Sequence, residues 1–178
     1  MRSGRPQPGE YADYAQGDID YVAGDDAVEI LARQRDELIA FLSPLEGKGE
    51  MSYAPGKWTL KEIVGHLADD ERIFAYRALC VARGDARPLP GFDEKEYMAG
   101  SGFASRTLAD LLGEYRTVRE ATLSLVAALT PEAWMRRGIV NGYEATVRGL
   151  AFHIAAHELH HLRIIRDRYL TSDCVKNH

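Results

Sequence analysis

The chain has 178 residues, of which 46% are hydrophobic and 28% charged, so its composition indicates one globular domain with a substantial core and excludes a disordered or fibrous chain. No apolar run approaches the roughly 18 residues of a membrane-spanning helix, and the polar N-terminus lacks the apolar segment of a secretory signal. The formal net charge of −5 argues against a nucleic-acid binder and against attraction to anionic membranes.

The first 24 residues are rich in proline and glycine, which disfavour a helix. They also contain Tyr11, Tyr14 and Tyr21, and a disordered tail rarely carries three aromatic residues in so short a span. We therefore expect residues 1–24 to form an extended arm that packs on the rest of the domain.

Two helices are predicted next. The first runs from about Ala27 to Leu42, begins at a capping Asp25 or Asp26 and ends before Pro44. The second begins at a capping box formed by Thr59 and Glu62 and reaches about Gly84. Their apolar stripes at helical spacing are Ile30, Leu31, Leu38, Ile39 and Leu42 in the first and Ile63, Leu67, Phe74, Ala78 and Val81 in the second.

The second half of the chain predicts two more long helices. Residues 85–105 read as a long loop, of the kind that is functional or packs as a lid. A third helix follows Thr107, with Asp110 placed to complete another capping pair. Asn141-Gly142 indicates a turn that either joins two short strands or reverses the chain, and a last helix runs from Thr146 to about Leu170. We therefore predict an all-α fold, an antiparallel four-helix bundle in a single domain over residues 1–178.

Four of the six histidines fall in the last helix, in the run H-I-A-A-H-E-L-H-H at residues 153–161. His157 and His161 are one helical turn apart, so their rings can converge on one ion. They occupy the apolar stripe of that helix, where two unpartnered imidazoles would cost roughly a few kcal/mol. His66 lies near the middle of the second helix, among apolar residues. We infer a metal site formed by His66, His157 and His161, with coordination positions left open for water or substrate.

Other interpretations of these histidines remain open. His66 alone, or the pair, can be a hydrogen-bonded part of the core, and His153 can replace His161 because 153 and 157 have the same spacing. His160 is expected to support a ligand or to lie at the rim. The residues also match H-E-x-x-H, the zinc-peptidase motif. However, Ile164 stands where one peptidase class needs glycine, no glutamate follows Glu158, and few residues remain for a substrate cleft.

Candidate catalytic groups flank the histidines. Asp70 lies one turn after His66 and can orient a ligand or accept a proton, or can instead belong to a solvated pair with Asp69. Glu158 and His160 flank the metal-facing line and are further base candidates.

Five other side chains have less specific expectations. Glu71 is expected to form a surface or interhelical salt bridge, and Trp58 to be a packing anchor. Three cations, Lys57, Arg72 and Arg77, are candidates for binding an anionic cofactor or are ordinary surface charges.

Three segments together resemble the DinB-like superfamily. P-G-K-W-T-L-K-E-I-V-G-H-L-A-D-D-E at 55–71 resembles its second-helix signature, and H-I-A-A-H-E-L-H-H-L-R-I-I-R at 153–166 resembles its last-helix signature. The opening R-P-Q-P-G-E-Y-A-D-Y at 5–14 is similar to the subgroup of metal-dependent hydrolases typified by YfiT. The resemblance thus spans nearly the whole chain.

The resemblance implies a four-helix bundle that holds a divalent ion on His66, His157 and His161. Zinc or nickel is expected, with manganese or iron as alternatives. The implied activity is that of a metal-dependent hydrolase or of a transferase that uses a low-molecular-weight thiol. The alternative is a non-catalytic, metal-stabilised binding or stress-response module.

The expected partner is a small-molecule substrate, without nucleic acid or membrane, and a homodimer is implied by the resemblance. Cys80 and Cys174 form no metal or redox motif, which suits a cytoplasmic protein.

Overall fold

The computed structural model describes residues 3–170, so Cys174 and the terminal His178 lie outside it. The elements in chain order are α1 (Gln16–Tyr21), α2 (Ala27–Leu42), α3 (Leu60–Ala82), α4 (Glu94–Gly100), α5 (Leu108–Ala127), α6 (Pro131–Trp134), β1 (Arg137–Val140), β2 (Tyr143–Thr146) and α7 (Val147–Ile164). A π-helical turn, Ile165–Tyr169, extends α7.

The four long helices start where the sequence predicts them. The Asp26 side chain caps α2 by accepting from Val28 N and Glu29 N. Thr59 and Glu62 form the reciprocal capping box of α3, which satisfies two backbone N–H groups at once. Thr107 caps α5, but Asp110 does not complete the predicted pair, because its carboxylate accepts from Arg106 instead.

Helices α2, α3, α5 and α7 form the predicted bundle. Their order around the bundle axis is α2, α5, α3, α7, so α2 and α3 lie on a diagonal. Helix α3 runs antiparallel to α7, since His66 meets His157 whereas the later Phe74 meets the earlier His153.

The bundle also contains parallel neighbours. Arg72 of α3 pairs with Glu114 of α5, and Leu79 lines the same groove as Leu125, so the two helices run in the same direction. The long connection from residue 83 to 107 permits this arrangement, because a parallel pair requires the chain to cross back along the bundle.

The core consists of two apolar clusters with polar groups between them. One cluster includes Leu31, Phe152 and Trp134 and lies nearer the hairpin. The other includes Leu38, Leu60 and Tyr115 and lies towards the opposite end of the bundle. Each fully buried leucine contributes about 1.5–3 kcal/mol through the hydrophobic effect. His66 of α3 and His157 and His161 of α7 lie where these two helices pack together, near the junction of the two clusters.

The segments expected to lack helices contain short ones. The arm was predicted to be extended, but it forms a 3-10 turn at Asp13–Ala15 and then α1. Ile19 is only 2% exposed, and its burial stabilises this turn of helix. Pro6 and Pro8, which disfavour a helix, lie upstream of it. Helix α4 interrupts the 85–105 loop behind a capping Asp93.

Of the two alternatives for Asn141-Gly142, the hairpin is the correct one: β1 and β2 pair antiparallel around it. Within residues 3–170, no helix is long and apolar enough to cross a membrane.

Candidate metal centre

Three histidines from two helices bring their ring nitrogens together. His157 Nε2 lies 3.1 Å from His66 Nε2 and 3.1 Å from His161 Nε2. All three nitrogens lie within 4.8 Å of one another. The antiparallel packing of α3 against α7 places His66 opposite the turn that carries the other two. The structure therefore brings together the three residues predicted as ligands.

Asp70 contacts His157 at Nδ1, the ring nitrogen that does not face the other two histidines. Its side chain is only 3% exposed, and Oδ2 lies 3.1 Å from His157 Nδ1. Burial would raise the pKa of Asp70, but the charge and hydrogen bond of His157 outweigh it and hold that pKa at about 2. The carboxylate is therefore ionised at neutral pH, and its position 3.1 Å from Nδ1 favours the His157 tautomer that carries its proton there and keeps a lone pair on Nε2. Asp69, 30% exposed, instead pairs with Arg72, so the two aspartates do not form a solvated pair.

The electrostatic environment keeps two of the three rings neutral. Burial lowers the pKa of His66 from 6.5 to about 4, and burial together with the other histidines places the pKa of His161 well below its usual value. Burial also opposes the charge on His157, but Asp70 outweighs it and raises the pKa of that ring. Neutral imidazole is the form that coordinates a metal.

The three nitrogens fit a single divalent ion. Two donors held at about 2.0–2.1 Å from zinc at a tetrahedral angle lie roughly 3.3 Å apart. The two separations of 3.1 Å to His157 Nε2 are close to this value. Three imidazoles suit zinc, nickel, copper or ferrous iron and leave coordination positions for other groups. The residues therefore fit the metal that the sequence predicts.

Trp58 packs against the ligand rings. Its ring centroid lies 4.8 Å from that of His66 and 6.4 Å from that of His161. The carbonyl of Trp58 accepts from the Tyr169 hydroxyl at 2.5 Å, which fixes the segment before α3. The indole thus restricts the two rings to one orientation, in agreement with its expected role as a packing anchor.

A cavity of about 250 Å³ opens onto the cluster. His157 and His161 form part of its wall, together with Asp70 of α3. The other lining residues come from the arm, the remainder of α3, the 85–105 segment, the hairpin turn and α7: Tyr14, Ala15 and Asp18; Phe74 and Arg77; Phe92 and Glu94; Asn141; His153, Ala156 and His160. A small molecule in this cavity can therefore reach His157 and His161, next to which His66 lies.

The N-terminal arm is anchored over α7 and forms one wall of the cavity. The buried carboxylate of Glu10 accepts two hydrogen bonds from Arg148, at 2.5 and 2.6 Å. Thr146 N donates to the Glu10 carbonyl at 3.0 Å, and a Cβ at Gly149 would lie only 1.9 Å from that oxygen. Glycine at 149 is thus required for the close approach of the arm to α7.

The two ambiguous histidines do not join the cluster. His153 stacks on Phe74 with ring centroids 3.9 Å apart and an angle of 10° between the rings, and burial lowers its pKa to about 4. His160 lies at the rim, where its Nδ1 is 3.3 Å from the Asp18 carboxylate of the arm. Both line the cavity without belonging to the three-nitrogen group.

Glu158, expected as a base candidate, lies away from the cavity wall in a buried polar network. Its Oε2 accepts from the Tyr115 hydroxyl at 2.6 Å and from Arg119 Nη2 at 2.8 Å. Arg119 Nε donates to both oxygens of Glu71, so Glu71 forms the expected interhelical salt bridge. The Glu158 side chain projects about a quarter turn away from the histidine face of α7. It therefore points towards α5, where it meets Arg119.

Sequence reasoning missed several residues that line the cavity. Tyr14 and Asp18 come from the arm, Phe92 and Glu94 from the 85–105 segment, and Asn141 from the hairpin. The tyrosines of the arm and the length of the loop indicated that both segments pack on the domain. Nothing in the local pattern indicated which of their residues face the histidines, because those contacts join distant parts of the chain.

The comparisons with known proteins agree with this geometry. The family model described as the DinB superfamily matches residues 30–165, which contain all three histidines. The comparison with curated proteins gave no match.

Two solved structures have similar folds. One is YfiT from Bacillus subtilis, described as a probable metal-dependent hydrolase with an unusual four-helix bundle topology, at 16% identity and a TM-score of 0.67 over 92% of this chain and 90% of that one. The other is a mycothiol-dependent maleylpyruvate isomerase, at 12% identity and a TM-score of 0.60 over 83% of this chain and 58% of that one. At these identities the similarity concerns the fold, and it confirms the bundle.

Proposed function

Because the chain belongs to the DinB superfamily and two of its three clustered histidines line a cavity, we propose that it is a metal-dependent enzyme acting on a small molecule. The two candidate reactions are hydrolysis and transfer to a low-molecular-weight thiol. The observation that carries the proposal is the convergence of the ring nitrogens of His66, His157 and His161 beside a cavity that His157 and His161 line.

We assign a separate role to each predicted site residue. His66, His157 and His161 would hold the divalent ion, with zinc or nickel expected and manganese or iron as alternatives. Asp70 acts as a positioning residue, since it touches His157 Nδ1. Glu158 has a structural role, because its carboxylate is engaged with Tyr115 and Arg119 inside the bundle.

A divalent ion at this site, when bound, lowers the pKa of a coordinated water or thiol and so supplies a nucleophile at neutral pH. The protein supplies the surroundings of that nucleophile. Phe74 and Phe92 add apolar surface to a lining that otherwise consists mainly of polar side chains. His153 is neutral at pH 7 and lines the cavity, so one of its ring nitrogens can accept a hydrogen bond from a ligand there.

Metal binding is tested first. The protein is treated with chelator, dialysed against zinc or nickel, and its metal content is measured together with that of His157→Ala and His153→Ala. We expect about one ion per wild-type chain, loss of that ion in His157→Ala, and retention in His153→Ala, which serves as a matched control on the same helix. Equal metal content in the two variants would contradict the three-histidine site.

The two candidate reactions differ in the nucleophile. Metal-loaded protein is assayed with ester and amide panels in water, and with electrophiles in the presence of thiols such as glutathione and cysteine. Turnover without thiol supports the hydrolase, and turnover that requires thiol supports the transferase. If the metal binds tightly and neither panel reacts, the proposal fails and a non-catalytic, metal-stabilised module is the better description.

The assembly and location of the protein belong to the same proposal. Tyr76 and Leu79 are 56% and 37% exposed beside an apolar groove between α3 and α5, which supports association into a homodimer. Light scattering of the purified protein tests this, and a mass of one chain would contradict it. We also propose a cytoplasmic location, because the two cysteines form no metal or redox motif, and no binding to nucleic acid, because the net charge is −5. Fractionation of cells and a titration with DNA test these two points.

A further inference from the structure

The cavity contains a buried cation that forms no ion pair with a carboxylate among residues 3–170. Arg77 of α3 is 4% exposed and lines the cavity with His157 and His161. Arg119 is the other arginine buried within residues 3–170, and it forms ion pairs with two carboxylates. In that same part of the chain, Arg77 has no carboxylate within ion-pair distance, and its hydrogen-bond acceptor is the Pro90 carbonyl at 2.7 Å from Nη2.

This arrangement favours a bound anion, although the charge of Asp70 in the same cavity already offsets part of the cost of burying Arg77. A buried charge without a counterion is costly, and burial accordingly lowers the pKa of Arg77. The ring faces of Phe74 and Phe92, 4.7 and 5.7 Å from the guanidinium carbon, offset part of the cost through cation–π attraction. A guanidinium carries five N–H donors, and Pro90 uses only one of them.

The other two cations considered in the sequence do not share this environment. Arg72 is half-exposed and pairs with Asp69 and Glu114 on the surface of α3. Lys57 lies over the ring of Tyr53. Neither residue lines the cavity, so Arg77 is the candidate that the geometry selects.

We propose that Arg77 binds a carboxylate group of the small molecule that occupies the cavity, and thereby selects for carboxylate-bearing ligands. The guanidinium fork matches a carboxylate with two parallel hydrogen bonds. A singly charged group is favoured over a dianionic phosphate, since Asp18, Asp70 and Glu94 also face the cavity. The inference rests on the proposed metal site, because the rest of the ligand would extend from Arg77 towards His157.

The test compares ligands that differ only in charge. Protein loaded with Co²⁺ is titrated with 3-mercaptopropionate and with 3-mercaptopropionamide, and binding is followed by the thiolate-to-cobalt charge-transfer absorption. The proteins are wild type, Arg77→Met, Arg77→Lys and, as a matched control on the same helix, Arg72→Met. Because each protein is scored by its own ratio of the two affinities, a general loss of affinity does not affect the result.

We expect wild type and Arg72→Met to favour the carboxylate by about tenfold or more, since hydrogen bonds to charged groups have effects of this size. The preference should fall to about one in Arg77→Met and be intermediate in Arg77→Lys. The inference is overturned if wild type shows no preference, or if Arg77→Met keeps it, as it would if the carboxylate bound the cobalt.

A metal-free measurement separates this inference from the proposed function. Benzoate and benzamide are titrated calorimetrically into chelator-treated wild type and Arg77→Met. If Co²⁺ fails to bind, the proposed function falls, and this measurement decides the inference: a benzoate preference lost in Arg77→Met supports it, and equal binding of the two ligands refutes it.

Discussion

The polar network around Arg119 gives the sharpest stability prediction. The Arg119 side chain is 1% exposed and bonds Glu71, Glu158 and the Leu31 carbonyl at 2.8 to 3.0 Å. Arg119→Met keeps most of the volume but leaves two buried carboxylates without their cation. Breaking a buried pair in this way typically costs about 3–5 kcal/mol, far more than the packing that methionine retains.

The expected loss can be measured directly. Urea unfolding followed by circular dichroism should show the free energy of unfolding reduced by about 3–5 kcal/mol. The melting temperature should fall by roughly 6–20 °C, at about 2–4 °C per kcal/mol for a chain of this size. Arg116→Met, an exposed position on the same helix, should change the stability by about 0.5 kcal/mol or less.

A triple variant identifies the cause of the loss. Adding Glu71→Gln and Glu158→Gln to Arg119→Met removes the two uncompensated charges and should recover part of the stability. The metal content of every folded variant should stay near one ion per chain, because Glu158 does not line the cavity. The reasoning is refuted if Arg119→Met alone costs less than about 1 kcal/mol, and the structural role of Glu158 is refuted if its variant loses the metal.

Three further predictions concern the site and the arm. Asp70→Asn should lower zinc affinity by about 10–100-fold, measured by competition with a chromophoric chelator, because it loosens the orientation of His157; unchanged affinity would contradict this role. Burial raises the pKa of Glu10, but the hydrogen bond and charge of Arg148 together have the larger effect, so the pKa lies below the usual 4.5. The ion pair therefore stabilises the folded protein at neutral pH, and this stabilisation is lost as the pH falls through the lowered pKa. The difference in unfolding free energy between wild type and Glu10→Gln should therefore be full at pH 7 and shrink on acidification, and a difference that grows towards low pH would reverse the sign. Gly149→Ala should increase amide hydrogen exchange in the arm, since its Cβ would meet the Glu10 carbonyl, whereas Gly113→Ala, with open space around it, should leave that exchange unchanged.

The parts of the fold that sequence predicts are those set by local spacing. The capping box of Thr59 and Glu62 lies within one turn, and so does the pair His157 and His161, so the chemistry of each is visible in a few consecutive residues. His66 was identified because a polar ring among apolar residues of a core helix requires a partner. These local patterns were sufficient to predict the bundle and its three-histidine group.

What sequence could not predict depends on which helices become neighbours. A helical wheel places Glu158 beside the histidine face, but only the packing of α5 shows that Arg119 meets it there. Glu10 and Arg148 are separated by 138 positions, and no local pattern links them. The parallel arrangement of α3 and α5 likewise follows from the route of the connection between them rather than from either helix alone.

This division also applies to the site itself. The three histidines and Asp70 belong to two packed helices of the bundle, whose geometry is fixed by the core. Tyr14 and Asp18 of the arm and Phe92 of the 85–105 segment reach the same cavity from surface segments. Surface segments can change without repacking a core. The bundle therefore supplies the candidate metal ligands and Arg77, whereas the arm and the 85–105 segment shape the approach to them.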